Sequence, residues 1–485
     1  MKPIQVLCAA VLLAGCAAVN KPLNQPLESG QNAPLAETTL KTPQDGEVYV
    51  GLAFSGGGMR ASAFAYGVLE ELRAQSASPE NPEGILSDVR LVTGVSGGSV
   101  TAAHFGLNGA RALEGYRDNY LITNAERYMA NTPINPLTVV RGLSGGANGR
   151  KTFGRYLDEK LFHGATFGDL RARSQITTWI NATDMANQTP FLFSPETFDA
   201  LCSDLSSFPI SDAVAASAAF PLVFSPITLE AHQDTCTYQE PDWLTAARHN
   251  PEASSAMRAH AAALESYGNP DKVKYVKLLD GGITDNFGTT GLAIERARAR
   301  NGYAPLTAQQ AVRLKRFLFL VADAGTEKTY RWSQKLRGPG GPNLAMGIAG
   351  ASMGAASRTG YDAMRLQIEK WESDLVAFRC SLPAAQVRKH RGTLRGWNCR
   401  DVKFFVGLIS FDALDEAQQT ALNEIPTRLK LKTEQVDMTI QAGRMATRLN
   451  PDLNGFLRAQ PGGNPLAAIR AGGGGALRRI APIKN

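Results

Sequence analysis

From about residue 46 onward, short apolar runs alternate with stretches whose apolar positions recur every three or four residues, the pattern of strands interleaved with helices. The runs predict strands over 48–54, 89–95, 175–182, 189–194, 273–279, 315–323 and 402–411. The helical spacing predicts helices over 60–74, 97–108, 153–162, 211–219, 288–300, 343–371, 415–424 and 432–449. The runs at 315–323 and 402–411 are almost continuously apolar, as expected of strands covered on both faces. Together these elements predict an α/β layered fold. No internal repeat is visible.

Two stretches depart from the alternation. Residues 229–272 predict a helix capped by Asn250, with Pro251 in its first turn and Gly268-Asn269-Pro270 as its stop. This insertion reads as a surface excursion rather than a lid. Residues 338–357 carry no charge, but the turn cluster Gly338 to Asn343 leaves only Leu344 to Ala356, too short to span a bilayer. Its small residues predict close packing against neighbours.

The N-terminus has a pattern of its own. Lys2 precedes an apolar run from Ile4 to Leu13, followed by Leu13-Ala14-Gly15-Cys16, which has the form of a bacterial lipobox. Residues 1–15 are then a lipoprotein signal peptide, and Cys16 becomes the lipid-modified N-terminus. Residues 16–46, polar and Pro-rich, read as a flexible tether. Ala17 after the cysteine points to outer-membrane sorting, so the expected location is the bacterial cell envelope. An exported chain permits disulfides, and nearest-neighbour pairing predicts Cys202–Cys236 and Cys380–Cys399 among three connectivities.

Composition changes this picture only modestly. In 485 residues, hydrophobic content of 44% and charged content of 20% are those of a globular chain large enough for a substantial core. The net charge of +7 favours anionic surfaces. No basic run with interleaved aromatics supports nucleic-acid binding. Scattered histidines and the lack of C-x-x-C give no support for a metal site.

Three glycine-centred strings carry the chemistry. Ser55-Gly56-Gly57-Gly58-Met59-Arg60 and Gly94-Val95-Ser96-Gly97-Gly98 each join a predicted strand to a predicted helix, where free backbone N–H groups suit an anion. G-x-S-x-G in that setting is a nucleophile elbow. Gly56, Gly57 and Gly58 allow close backbone approach to a developing oxyanion, and Arg60, just inside the following helix, adds positive charge and is placed to brace the loop. The string lacks the G-K-[ST] of a P-loop and the G-x-G-x-x-G spacing of a dinucleotide site. A serine nucleophile needs a base, and His104, His163, His232, His249, His260 and His390 all lack a strand-end context. Asp280, in Asp280-Gly281-Gly282, does end a predicted strand, where open α/β sheets keep their sites. As a base it has to be desolvated and bonded directly to the serine, because a free carboxylate near pKa 4 is too weak.

On these strings the chain resembles the patatin-like phospholipases. Gly56-Gly57-Gly58-x-Arg60 resembles the family's oxyanion loop, Gly94-x-Ser96-x-Gly98 its nucleophile motif, and Asp280 in Asp280-Gly281-Gly282 its dyad acid. Asn181-Ala182-Thr183-Asp184 and Ala215-Ala216-Ser217-Ala218-Ala219-Phe220-Pro221 resemble its central strand and its Ala/Ser-rich helix. The likeness covers roughly 46–290 and runs more loosely to about 450. It implies a three-layer α/β/α sandwich with insertions and a helical C-terminal part. It also implies a Ser96–Asp280 dyad that hydrolyses acyl esters of lipids with no metal or cofactor. The expected organisation is a catalytic domain over 47–450 (core 47–330, insertion 229–272) and a basic, Gly-rich tail over 451–485. The expected partners are a lipid or phospholipid substrate and a membrane held through the lipid anchor. Two other readings stay open: an acyltransferase using the same acyl-enzyme, and a non-catalytic lipid-binding envelope lipoprotein. Ser96 and Asp280 lie far apart in the sequence for this family, with 229–272 between them. The cysteine-bearing insertions leave specificity open.

Overall fold

A computed structural model of the chain describes residues 21–28, 46–128, 150–298 apart from 222 and 252, 301–326, 334 and 336–459. The signal segment, Cys16 and the tail from residue 460 lie outside the described residues. Eight strands form one sheet: β1 Val48–Phe54, β2 Val89–Val95, β3 Thr177–Asp184, β4 Thr189–Leu192, β5 Ile227–Glu230, β6 Tyr275–Asp280, β7 Arg316–Asp323 and β8 Lys403–Ser410. Their hydrogen-bonded path is β5-β6-β3-β2-β1-β7-β8, with β4 also on β3. The five strands from β3 to β8 are parallel, while β4, β5 and β6 join antiparallel at one end.

Alternation along β1 builds the layers. Val50, Leu52 and Phe54 enter one apolar core with helices α1 (Gly58–Ala74) and α2 (Gly97–Asn108), whereas Tyr49 and Ala53 enter a second core on the opposite face. The sheet is thus covered on both sides, and the three-layer α/β/α expectation holds. The continuous apolarity of β7 follows from this, since Leu318 and Leu320 face one core while Phe317 and Phe319 face the other.

The register around β3 positions the site. Asn181 pairs with Val95 of β2 and with Leu192 of β4, so β2 and β4 occupy opposite edges of β3. Residues 182–184 pair with both β4 and β6, so β6 lies on the edge that β2 occupies further back. β2 runs parallel to β3 and β6 antiparallel. The two strands therefore approach each other head to head along one edge and end facing each other. Residues far apart in sequence, Ser96 after β2 and Asp280 closing β6, meet at that junction.

The remaining helices used below are α3 (Ile210–Ser217), α4 (Asp242–His249), α5 (Ser255–Tyr267), α6 (Thr290–Arg298), α7 (Gly341–Ser381), α8 (Thr433–Leu449) and α9 (Pro451–Ala459). Several expectations need correction. The insertion is no surface excursion: it opens with β5 and carries α4 and α5, whose Leu244, Leu264 and Tyr267 are buried. Ser254, not Asn250, caps α5 by accepting from the Met257 N–H, and Asn250 instead closes α4. Residues 153–162 are wound partly as π-turns rather than one α-helix. Residues 21–28 of the expected tether are docked, because Asn24 is buried and exchanges hydrogen bonds with Glu230 and Ser203. The expected tail begins too early: α9 buries Leu453 and Phe456, with its first turn capped by Asn450. Both disulfides pair as expected, Cys202–Cys236 and Cys380–Cys399.

One buried polar cluster lies outside the site. Arg298 of α6 stands 3.2 Å from Glu295 and 3.9 Å from Glu196, with Asp199 close by. Burial pushes the Glu295 and Asp199 carboxyls each up to about 7. Folded-state pKa values above the unfolded ones mean that the folded form holds these protons more tightly. Stability present below about pH 4.5 is therefore lost as pH rises through about 7. Glu295→Gln is expected to recover on the order of 1–3 kcal/mol of that loss at pH 8 and little at pH 4, measured by denaturant unfolding at both values.

Candidate active site

Ser96 sits between β2 and α2 at φ 51°, ψ −123°, a left-handed backbone that a non-glycine residue holds only under constraint. The constraint comes from two sides. The Ser96 N–H donates to Ser217 Oγ at 2.9 Å, and Ser217 Oγ donates to the Asn181 carbonyl at 2.6 Å, so the end of α3 ties the turn to β3. On the other side the start of α2 is pressed against the first glycine string. A Cβ built on Gly97 would lie 1.9 Å from the Gly58 carbonyl oxygen. Only glycine permits that approach.

Asp280 is buried, its carboxylate accepts the Gly282 N–H at 2.9 Å, and the Ser96 hydroxyl lies near enough to act on it. Its own N–H donates to the Ala219 carbonyl at 3.0 Å, and its carbonyl accepts from Thr183 Oγ1 at 2.8 Å. Burial pushes the Asp280 carboxyl up to about 6, while the Gly282 N–H and the Ser96 hydroxyl hold it down. The desolvation that a carboxylate base requires is present. At neutral pH the group is mostly ionised and more basic than an ordinary aspartate.

The four residues expected to hold an oxyanion divide into two roles. Gly57 (φ 142°) and Gly58 (φ 61°) occupy backbone conformations closed to most L-residues, and among the described residues their N–H groups have no partner. The Gly56 N–H, in contrast, is taken by Asn286, by its Oδ1 at 3.1 Å and its carbonyl at 3.3 Å. Arg60 is buried and bonds away from the turn, from Nε to the Ala324 carbonyl at 2.9 Å and from Nη1 to the Ile425 carbonyl at 2.6 Å. It braces the loop from behind. Burial lowers its pKa to about 10, so it remains charged at neutral pH.

Among the described residues no histidine bonds Ser96 or Asp280. His104 stacks on Tyr116 with ring centroids 5.1 Å apart, and His260 lies beside Trp243. No cluster of three or more His, Cys, Asp or Glu among the described residues is placed to hold a metal ion.

Sequence reasoning passed over three contributors. Ser217 lies within the Ala/Ser-rich string but had no role there. Asn286 follows the third glycine string and links the first one to α7 by donating from Nδ2 to Ser357 Oγ at 2.9 Å. Met353 of α7 reaches the site, its Cε 3.6 Å from a Cβ built on Gly56. An asparagine six residues after an aspartate carries no recognisable signal, and Met353 reaches the site only through tertiary packing.

Ser217→Ala leaves the Ser96 N–H buried and unsatisfied, at a cost of about 1–3 kcal/mol. It is expected to slow fluorophosphonate labelling of Ser96 by about tenfold or more, with a lowered melting temperature.

A serine on a strained strand–helix turn, a buried carboxylate near its hydroxyl and glycine N–H groups without a partner among the described residues have the form of a nucleophile elbow on an α/β sheet. The family model for patatin-like phospholipase matches residues 52–293, so the chain carries a patatin-like phospholipase domain. No curated protein sequence matches the chain. Solved structures that resemble it include human GIVD cytosolic phospholipase A2, at 13% identity and a TM-score of 0.40, matched over 85% of this chain and 59% of that one. The chain thus spans about three fifths of that protein's length. VipD from Legionella pneumophila matches at 14% identity and a TM-score of 0.32, over 92% of this chain and 73% of its own. The type III effector protein ExoU matches at 13% identity and a TM-score of 0.23, over 82% and 93%.

Proposed function

We propose that this chain is a serine acyl hydrolase of lipid esters, a phospholipase A or lipid esterase, working through a Ser96–Asp280 dyad. The observation that carries the reading is the buried Asp280 carboxylate next to the Ser96 hydroxyl, with the N–H groups of Gly57 and Gly58 unpartnered among the described residues. Asp280 takes the hydroxyl proton as Ser96 Oγ attacks the ester carbonyl. The negative charge on the carbonyl oxygen is held by the Gly57 and Gly58 N–H groups, each lowering the barrier by a few kcal/mol. Collapse expels the alcohol portion, which leaves with the proton from Asp280, and Ser96 carries the acyl group. Water then attacks as Asp280 accepts its proton, and collapse releases the fatty acid while Asp280 returns that proton to Ser96 Oγ.

The same proposal places the protein in a bacterial envelope, lipid-anchored through Cys16 and sorted to an outer membrane. The lipobox supports this reading, and two disulfides in the domain are consistent with export. Among the described residues no helix is long and apolar enough to cross a membrane.

The test compares the full chain with Ser96→Ala for fluorophosphonate labelling and for fatty-acid release from phospholipid vesicles. The wild type is expected to label once, at Ser96, and to release fatty acid, and the variant to do neither. A wild type that binds vesicles yet neither labels nor hydrolyses would instead favour a lipid-binding role. Radiolabelled palmitate incorporation that survives Cys16→Ser would defeat the anchor assignment.

A further inference from the structure

Helix α7 has a face that the proposed chemistry does not use. Its inner side closes over the site: Ser352 Oγ donates to the Ile283 carbonyl at 2.8 Å, Met353 reaches Gly56, and Ser357 accepts from Asn286. Its first turns overhang. Leu344, Met346 and Ile348 are 50%, 45% and 63% exposed, and Leu336 just before the helix is wholly exposed. These are four of the chain's exposed large apolar side chains within a short stretch beside the site. The expected close packing of this segment is confined to its inner side, where Ala349 is buried, while a Cβ on Gly350 would meet nothing.

Two features indicate what covers this tip. At 100° per residue, Leu344 and Ile348 point to one side and Met346 to nearly the opposite one. A helix apolar on several sides needs an apolar surround rather than a single flat partner. The segment from Gly338 to Ser357 holds no charge and is bracketed by exposed Arg337 and Arg358, cations placed to meet anionic headgroups.

We propose that the N-terminal turns of α7, with Leu336, are the surface by which the domain enters a phospholipid bilayer, beside the site that the inner side of the helix covers. This rests on the lipid-hydrolase reading for its purpose but not for its geometry. Insertion at headgroup depth suits a helix of this kind, with its apolar tip in the acyl boundary and its flanking arginines outside.

The experiment uses the full chain with Cys16→Ser, so that no attached lipid contributes to partitioning. Its probes are vesicles of phosphatidylethanolamine and phosphatidylglycerol, and a soluble short-chain ester. The double variant Leu344→Glu/Ile348→Glu alters two exposed positions. It is expected to lower the vesicle partition coefficient by at least tenfold, since each buried aliphatic side chain contributes about that factor. The ratio of vesicle to soluble-ester hydrolysis is expected to fall at least tenfold as well. Leu344→Met/Ile348→Leu, which keeps the face apolar, is expected to retain both. An unchanged partition coefficient, or an unchanged activity ratio, in the Glu pair overturns the proposal. Failure of the hydrolase reading shows differently: the wild type then hydrolyses neither substrate, while the partition measurement still tests the face.

Discussion

Asp280→Asn is expected to lower kcat/KM for ester hydrolysis by about 10³–10⁴-fold while leaving the protein folded. The amide keeps the shape of the carboxylate, and its oxygen still accepts the Gly282 N–H. What it loses is basicity. The stability comparison separates this loss from a folding defect. Asp280 is fully buried and its carboxyl is raised to about 6, so keeping it ionised above that pH works against folding. The neutral variant is therefore expected to melt no lower than the wild type at pH 8. The pH dependence carries the same signature. A protonated Asp280 cannot accept the serine proton, so wild-type kcat/KM rises with pH through about 6 and drops about tenfold per unit below it. The residual activity of Asp280→Asn is expected to lack that inflection. Both follow from kcat/KM on a soluble ester between pH 4.5 and 8. Full activity in Asp280→Asn, with loss instead in a histidine variant, would sink the dyad.

Much of this site is legible in the sequence because its parts sit where strand periodicity ends. Val48–Phe54 and Val89–Val95 match their predicted bounds residue for residue, since each apolar run stops at a glycine string that also starts a helix. The junction between Ser96 and Asp280 is not legible. It depends on β6 continuing the edge of β3 that β2 vacates, a register that only pairing through Asn181 and Ala182 defines. The same limit hides which groups occupy the expected oxyanion residues. Gly56 looks equivalent to Gly57 and Gly58 in sequence, yet Asn286 occupies its N–H from across the fold. Arg60 looks like an added charge at the site, yet two carbonyls from distant segments claim it. The sequence suggests a strand near Val223, but β5 lies at Ile227–Glu230, a segment too short and mixed to stand out that becomes a strand by pairing with β6.

Gly97→Ala tests whether the two glycine strings function as one unit. The added methyl would lie 1.9 Å from the Gly58 carbonyl oxygen, 2.6 Å from its carbonyl carbon and 2.9 Å from its Cα. All three are backbone atoms, so no rotamer change relieves the clash. Either the start of α2 or the loop carrying the Gly57 and Gly58 N–H groups has to move. The loop is held elsewhere by Arg60 and by the Met59 N–H on the Arg428 carbonyl at 2.8 Å, so displacement costs stability as well as alignment. Overpacking of this kind costs about 1–3 kcal/mol, and loss of an aligned oxyanion donor about 10²–10³ in kcat. Both are expected in Gly97→Ala. Gly106→Ala provides the contrast, since its methyl meets only the Thr178 side chain, 2.1 Å away at its Oγ1 and further along α2. That variant is expected to lose comparable stability yet keep kcat per folded molecule. Measured side by side with fluorophosphonate labelling and denaturant unfolding, the pair separates crowding from misalignment. Equal kcat in both variants would mean that the contact between Gly97 and Gly58 does not set the position of the donors.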